Sequence, residues 1–292
     1  MIDFAELVGE HGAVTVVGGR TRWQAGGEVA SGTREITAPS GVISYDPAEM
    51  TVAVKAGTTT AELASILADH GQRCALPERG GSVGGAIAVG EHHLEALGRG
   101  RLHTSVLAVA YVSAEGKVIR GGGPTVKNVS GFDLPRLIVG SLGTLGLVDE
   151  VTLRTNPSPS ASEWFESGDA DPFEVMNTVL RPSAILWNGA TTRVLLEGHG
   201  VDVVEMQRQL ATIGTWEAID GPFELPPHRW SRTTRELRDE HGAFVASLGV
   251  GTVWRHDPQP PRTLEPGIVE LSRRIKTQFD PTGRLNPGRS VY

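Results

Sequence analysis

The chain has 292 residues, 39% hydrophobic and 21% charged, with a formal net charge of −7, which is the make-up of a folded protein with room for two domains and no basic footprint for nucleic acid. No long apolar span and no polybasic helix speak for a membrane span. The start, MIDFAELVGEHG, lacks the basic and apolar regions of a signal peptide and the lone Cys74 cannot close an internal disulfide, so a cytoplasmic protein in a reducing compartment is expected.

In chain order, the first predicted element is a helix with Asp3 and Glu6 as a capping pair, an apolar stripe of Phe4, Leu7 and Val8, and Gly12 as its stop. Next, VTVVGGRTRW is a β-branched run feeding Gly18-Gly19, then Arg20 and Thr21. A strand that ends in two glycines can offer successive amides to a pyrophosphate, with a hydroxyl from Thr21 and a permanent charge from Arg20. The same residues also read as a tight strand-to-loop turn, and no GxGxxG opens a helix here. Residues 35–57 predict two strands about an Asp46-Pro47 turn, the second alternating Val52, Val54 and Ala56 and closing at Gly57. A helix capped by Thr59 with Glu62 then buries Leu63, Ile66 and Leu67 and stops at Gly71. Cys74 follows as a small core residue.

LPERGGSVGGAIAVG sets Gly80-Gly81 and Gly84-Gly85 around Ser82 and Val83 and leaves the backbone almost bare, which suits packing against an extended cofactor such as an isoalloxazine or its phosphates. His92, His93 and His103 come next, without the spacing of a metal site, and read as loop histidines or one lining a substrate channel. Residues 105–119 predict a hairpin with Glu115-Gly116 at its turn. In the run GGGPTVKNVSGFDLPRLIVGSLGTLGLVDEVTLR, Asp133 can cap a short helix with Pro135 in its first turn. Gly143 and Gly146 sit among small and hydroxyl residues where amides can approach a flat or anionic ligand, or form an ordinary surface turn, and LVDEVTLR predicts a strand with one buried face.

After Arg154 the proline- and serine-rich NPSPSAS marks a domain boundary. Beyond it come short strands (SAILWNG, TRVLLEG) and an amphipathic helix, VDVVEMQRQLATIG, with Val204, Leu210 and Ile213 among its apolar positions. The polar-aromatic segment with His228, Arg229, Trp230, Arg232, Arg235 and Arg238 reads either as a carboxylate clamp with a stacking ring or as a solvated helical face with one buried Trp. A final helix opens at Pro266, with Ile268, Leu271, Ile275 and Phe279 as an apolar stripe expected to dock it, and ends at Asp280-Pro281.

The ordered series VVGGRT, ISYDPAEMTVAVKAGTTTAELASILADHG, LPERGGSVGGAIAVG and VKNVSGFDLPRLIVGSLGTLGLVDEVTLR resembles the FAD-binding domain of the vanillyl-alcohol-oxidase, or PCMH-type, superfamily. Within it, KNVSGFDLPRLIVGSLGTLG and the tail RIKTQFDPTGRLNPGR are similar to the FAD-binding subunits of glycolate oxidases. The resemblance implies an α+β fold: an FAD-binding domain of two α+β subdomains over 1–156, a smaller α+β cap over 157–261 with substrate contacts, and a helix and tail over 262–292 returning to the FAD domain. It also implies FAD-binding roles. Val17, Gly18, Gly19, Arg20 and Thr21 would embrace the pyrophosphate, and Gly81, Ser82, Val83, Gly84 and Gly85 would lie along the ribityl and phosphate portion. Asn128, Gly131 and Asp133 would lie near the cofactor, Gly143, Gly146 and Val148 close to the adenine end or the dinucleotide backbone, and Asn286, with Lys276, Arg284 or Arg289, near the ring. Some members attach FAD covalently to a histidine in the first loop; Arg20 stands there in this chain, so non-covalent FAD is expected.

The function so implied is an FAD-dependent oxidoreductase taking a hydride from a 2-hydroxy acid such as glycolate, beside a larger flavin subunit and an iron–sulfur subunit. One cysteine is too few for such a cluster in this chain. No acid/base pair stands out, so catalytic residues stay unassigned. Two alternatives stand beside it: an FAD-carrying partner subunit without substrate chemistry, and a self-sufficient PCMH-type flavoenzyme acting on an alcohol, a sugar or a cell-wall nucleotide.

Overall fold

The structure is a computed structural model that describes residues 3–77, 79–123, 133–260 and 264–290. The chain begins with α1 (Phe4–Val8), β1 (Val14–Val16), β2 (Arg34–Ile36), β3 (Val42–Asp46), β4 (Thr51–Lys55), α2 (Thr60–Ala68), β5 (Gln72–Cys74) and α3 (Val83–Val89). It continues through α4 (Ala96–Arg99), α5 (Leu102–Ser105), β6 (Val106–Val112), β7 (Val118–Gly122), α6 (Leu134–Ile138) and β8 (Leu147–Pro157). Then come β9 (Ala161–Ser167), α7 (Pro172–Thr178), β10 (Ala184–Trp187), β11 (Thr192–Gly198), α8 (Gly200–Leu210), β12 (Glu217–Ile219) and β13 (His228–Ser231). The last elements are α9 (Thr234–Leu237), β14 (Val245–Ser247), β15 (Thr252–Arg255) and α10 (Pro266–Phe279).

The architecture is α+β, in two compact units. The first holds the described residues up to His93, Arg101–Pro157 and those from 264 onward; the second holds Leu94–Gly100 and the described residues from Ser158 to 260. In the first unit β1 and β2 pair in parallel, and a larger antiparallel sheet runs β3-β4-β8-β6-β7, with β5 also paired to β8. In β4 the alternation seen in the sequence buries Val52 and Val54 on one face. Thr59 caps α2 by accepting from the Glu62 amide at 3.1 Å, and Leu63 and Leu67 are buried while Ile66 is half-buried. Helix α1 stops earlier than its sequence predicts, at Gly9 (φ +63°) rather than Gly12. Gly116 (φ +71°) turns the β6–β7 hairpin.

In the second unit all seven strands are antiparallel, in the order β12-β9-β11-β10-β14-β15-β13. Helix α8 buries Val203, Met206 and Leu210, while Val204 is exposed, one residue out of phase with the predicted stripe. Adjacent valines make the phase of that helix ambiguous from sequence.

The tail returns to the first unit. Leu285 bridges Val14 in parallel, and the Asn286 amide donates to the Val14 carbonyl at 2.8 Å. Only half of the predicted α10 stripe docks. Ile275 and Phe279 pack on the core, whereas Ile268 and Leu271 are exposed, because periodicity shows which residues share a face and not how far the core beneath extends.

A charged network crosses the large sheet: Lys55 Nζ donates to Asp149 (3.1 Å) and Glu150 (2.8 Å), and Arg120 donates to Glu150 (2.6 Å). Burial pushes the Asp149 carboxyl above the usual carboxylate range against the pull of Lys55. At Glu150 burial acts the same way but is outweighed by hydrogen bonds from Arg120 and Lys55, which hold it low. In Lys55→Met both carboxylates lose this partner and their folded-state pKa values rise. A carboxyl whose folded value lies above its unfolded value costs stability as pH climbs through that window. The variant is therefore expected to fall about 2 kcal/mol below the parent at pH 7, and the deficit to shrink only as pH drops below the ordinary carboxylate range, where Glu150 of the parent finally takes up its proton, as checked by urea unfolding across that range.

Candidate functional site

The site grows from three backbone segments of the first unit. The first leaves β1: the Val17 amide donates to the Ile36 carbonyl at 2.8 Å, and Gly18 and Gly19 then lead into a turn in which Arg20 adopts φ +53°. The second precedes α3, where Ser82 caps the helix by accepting from the Gly85 amide at 3.2 Å and the Gly84 amide donates to the Ala56 carbonyl at 2.8 Å. These two loops touch backbone to backbone. A Cβ on Gly18 would lie 2.5 Å from Ser82 Oγ, and one on Gly19 would lie 3.0 Å from Gly81 Cα. The third segment runs beside α3, with the Gly140 amide on the Ile87 carbonyl (2.9 Å) and the Leu142 amide on the Ala88 carbonyl (2.8 Å). Asn286 ties the tail to it: its amide nitrogen donates to the Leu142 carbonyl, and its Oδ1 accepts from Thr15 Oγ1 at 2.5 Å.

Between these segments lie two adjoining pockets open to solvent, about 510 and 460 Å³ with their solvent-open space included, which share Gly18, Ser82, Gly85, Leu142 and Asn286 among others. The first adds Gly19, Arg20, Thr21, Arg22, Trp23 and Arg289, and no carboxylate lines it among the described residues. The second adds Ala38, Ala56, Gly84, Gly143, Leu147 and Val148, all small or apolar. The result is a groove with a cationic, donor-rich end and a smooth apolar end, the lining an elongated ligand with an anionic part and a flat ring requires. Arg20 and Arg289 stand 4.5 and 4.6 Å from the Trp23 ring, so the indole holds both guanidinium groups beside the first cavity.

Ten residues singled out from the sequence line the groove: Gly18, Gly19, Arg20, Thr21, Ser82, Gly84, Gly85, Gly143, Val148 and Asn286. Four do not. Val17 spends its amide on the Ile36 carbonyl, Gly81 supports Gly19 from behind, Val83 is fully buried in the core, and Gly146 gives room to the Tyr111 ring. Asp133 also lies off the groove: it accepts from the Arg136 amide at 3.1 Å as the cap of α6 and pairs with the Arg136 side chain at 3.4 Å. Asn128 and Gly131 lie outside the described residues.

Of the basic tail candidates only Arg289 lines the groove, donating to the carbonyls of Trp23 and Ala25. Arg284 and Lys276 are structural ties: Lys276 donates to the Thr144 carbonyl at 2.7 Å and to Asp280 at 2.6 Å. Sequence reasoning missed Arg22, Trp23 and Leu142. The only signal for Arg22 was a second arginine two positions after Arg20.

Elsewhere, Arg232 and Arg255 both end on the buried Glu240, at 2.5 Å for Arg232, and stack on Trp230 at 4.7 and 4.9 Å. Arg238 lies over Phe173 instead, at 3.8 Å, so these arginines tie their own unit together and do not converge as one clamp. The His92 and His103 rings are 5.8 Å apart; burial, then Arg136 and Arg101, hold His103 below the ordinary histidine range. Among the described residues no group of three or more His, Cys, Asp or Glu could hold a metal ion, and no helix is long and apolar enough to cross a membrane.

Residues 2–122 match the family model of the FAD binding domain. That stretch is an FAD binding domain of the PCMH type. Over 97% of its length it is 26% identical to the glycolate oxidase subunit GlcE of Escherichia coli (strain K12), of which it covers 94%. It is 32% identical over 63% of its length to the glycolate oxidase subunit GlcD of Bacillus subtilis, of which it covers 40%. It is 38% identical over 35% of its length to a D-lactate dehydrogenase of Archaeoglobus fulgidus, of which it covers 24%. A solved structure of alkyldihydroxyacetonephosphate synthase shares its fold, with a TM-score of 0.66 at 13% identity over 94% of this chain and 71% of that one.

The groove of the FAD binding domain fits the cofactor on two counts. Glycines stand where any Cβ would close the loops on each other. In addition, a buried guanidinium nitrogen of Arg22, on the wall of the first cavity, has no hydrogen-bond partner, which is what an anionic oxygen would supply.

Proposed function

We propose that the chain is an FAD-dependent oxidoreductase of the glycolate-oxidase type that oxidises a 2-hydroxy acid such as glycolate and passes the electrons to partner subunits, a larger flavin subunit and an iron–sulfur subunit. The observation that carries this reading is the likeness to the glycolate oxidase subunit GlcE along nearly the whole of both chains. FAD, when bound, supplies the hydride acceptor for the substrate's α-carbon. The residues of the chain do the rest. Amides of the two glycine loops and the hydroxyls of Thr21 and Ser82 stand at the donor-rich end, where they can meet a diphosphate. Ala38, Ala56, Gly84 and Val148 give the other end a lining without charges, which excludes water from a flat ring. The amide of Asn286, fixed by Thr15 and Leu142, joins the two ends.

Attachment is non-covalent in this reading: the described lining residues include no His, Cys or Tyr, and Arg20, at the position where a covalent histidine is expected, pairs with Glu35 at 2.6 Å. Residues 157–261 are assigned to substrate contacts and 262–292 to completing the FAD domain, and a cytoplasmic location accompanies the reading.

One observation favours a second reading, an FAD-carrying partner subunit with no substrate chemistry of its own. No side chain lining the groove among the described residues is a base that could take the hydroxyl proton of a 2-hydroxy acid. Anaerobic addition of glycolate and of D-lactate to the purified chain separates the two. Bleaching of the flavin band by either acid is expected for the dehydrogenase. A bound flavin that stays oxidised selects the partner subunit, and a folded chain that takes up no FAD overturns both.

A further inference from the structure

The first glycine loop carries two arginines, and the structure gives them different surroundings. Arg20 is half exposed and ends on Glu35. Arg22 is buried, with 6% of its side chain exposed, on the wall of the first cavity beside Gly18, Gly19 and Ser82. Its Nε donates to Glu91 Oε2 at 2.5 Å, and its Nη1 donates to the Gly80 carbonyl at 2.6 Å and to Thr21 Oγ1 at 3.0 Å. Its Nη2 is buried without a hydrogen-bond partner. Glu91 is buried as well, with 4% of its side chain exposed, and its other oxygen accepts from Arg79 at 2.8 Å.

A buried N–H without an acceptor is unfavourable until one arrives. The missing partner is an acceptor oxygen, preferably anionic. That requirement matches a diphosphate better than a flavin ring, because the same cavity carries three arginines and two hydroxyls while the apolar lining belongs to its neighbour.

We propose that Arg22 binds the diphosphate of the bound dinucleotide and that Glu91 is the positioning residue that presents it. The proposal rests on the FAD reading above. It assigns to Arg22 the phosphate contact that the sequence alone places on Arg20.

The test uses the full chain freed of flavin. FAD binding is followed by flavin fluorescence, with ADP as a competing diphosphate that lacks the flavin, and thermal melting of each apoprotein reports whether the variant folds. Arg22→Gln is expected to weaken both FAD and ADP by on the order of 10- to 100-fold. Arg22→Lys recovers part of the loss, since it keeps the charge and loses the fork. Glu91→Gln weakens both ligands less, and the double variant binds no more weakly than Arg22→Gln alone, because Glu91 acts only through Arg22.

FAD and ADP affinities of Arg22→Gln within twofold of the parent overturn the proposal. Weakened FAD with unchanged ADP overturns the diphosphate assignment, and additive losses in the double variant overturn the positioning role. Should Arg22→Gln fail to melt cooperatively, the folded Arg22→Lys decides: weaker ADP binding supports the proposal and equal binding overturns it. A parent chain that takes up no FAD removes the underlying reading, and this proposal with it.

Discussion

Arg284→Met is expected to destabilise the first unit by about 4 kcal/mol and to lower its Tm by about 10 °C, readable by calorimetry or urea unfolding. The side chain is buried, and its guanidinium donates to the carbonyls of Gly12 (2.8 Å), Val8 (2.8 Å), Gly9 (3.1 Å), His11 (3.1 Å) and Ala114 (3.1 Å). Methionine fills a similar volume and satisfies none of them. Each hydrogen bond to a charged donor contributes about 1.5–3 kcal/mol, but the five share one side chain and water reaches some of the carbonyls once it is gone, so the sum is not reached. Arg284→Lys should recover less than half, since one ammonium cannot reach carbonyls arrayed around a planar fork. A loss under about 1 kcal/mol for Arg284→Met would show that the carbonyls find water at no cost.

The second large effect is on the cofactor. Gly18→Ala puts a methyl group 2.5 Å from Ser82 Oγ and 3.2 Å from Ser82 Cβ. Ser82 is held as the cap of α3, and its neighbours Val83 and Gly84 are hydrogen-bonded to Thr58 and Ala56, both at 2.8 Å, so the two glycine loops must part rather than one side chain turn away. Overpacking of this kind costs about 1–3 kcal/mol of stability. Because the same contact forms the wall shared by both cavities, FAD affinity is expected to drop by on the order of 100-fold, the equivalent of about 2.7 kcal/mol. The flavin-to-protein absorbance ratio after gel filtration reads this directly. Gly168→Ala, at a glycine with nothing within 4 Å and no positive φ, is the control expected to leave the ratio unchanged.

What could be read from the sequence was local. The Thr59 cap, the alternation in β4, the Asp133 cap and the glycine pairs each depend on neighbours within a few positions, and each formed as the pattern requires. The ordered glycine motifs identified the FAD binding domain because their order along the chain carried more information than any one of them. Chemistry set by long-range contact was not legible. Arg20 and Arg22 are equivalent as letters, and only the approach of Glu91, 69 positions after Arg22, makes one of them buried. Likewise Arg284 is one more basic residue of the tail until the fold brings five carbonyls from residues 8–12 and 114 around it. Val17, Val83 and Gly146 do not line the two cavities, since adjacency to a motif does not say which side of the backbone faces a cavity.

Leu94–Gly100 belongs to the second unit although the chain on both sides of it belongs to the first. Within its unit the segment is held closely: the Gly98 amide donates to the Ser183 carbonyl at 3.4 Å, and a Cβ on Gly249 would lie 2.7 Å from Leu97 Cδ2. The second unit is therefore not a cassette that recombination can move in one cut. Grafting residues 158–261 alone onto another flavoprotein would leave Ser183 and Gly249 without the short helix that covers them, and deleting that stretch would leave Leu94–Gly100 unanchored in the middle of the FAD binding domain. Exchange of this unit among relatives requires two coordinated replacements, which ties the history of the short segment to that of the long one.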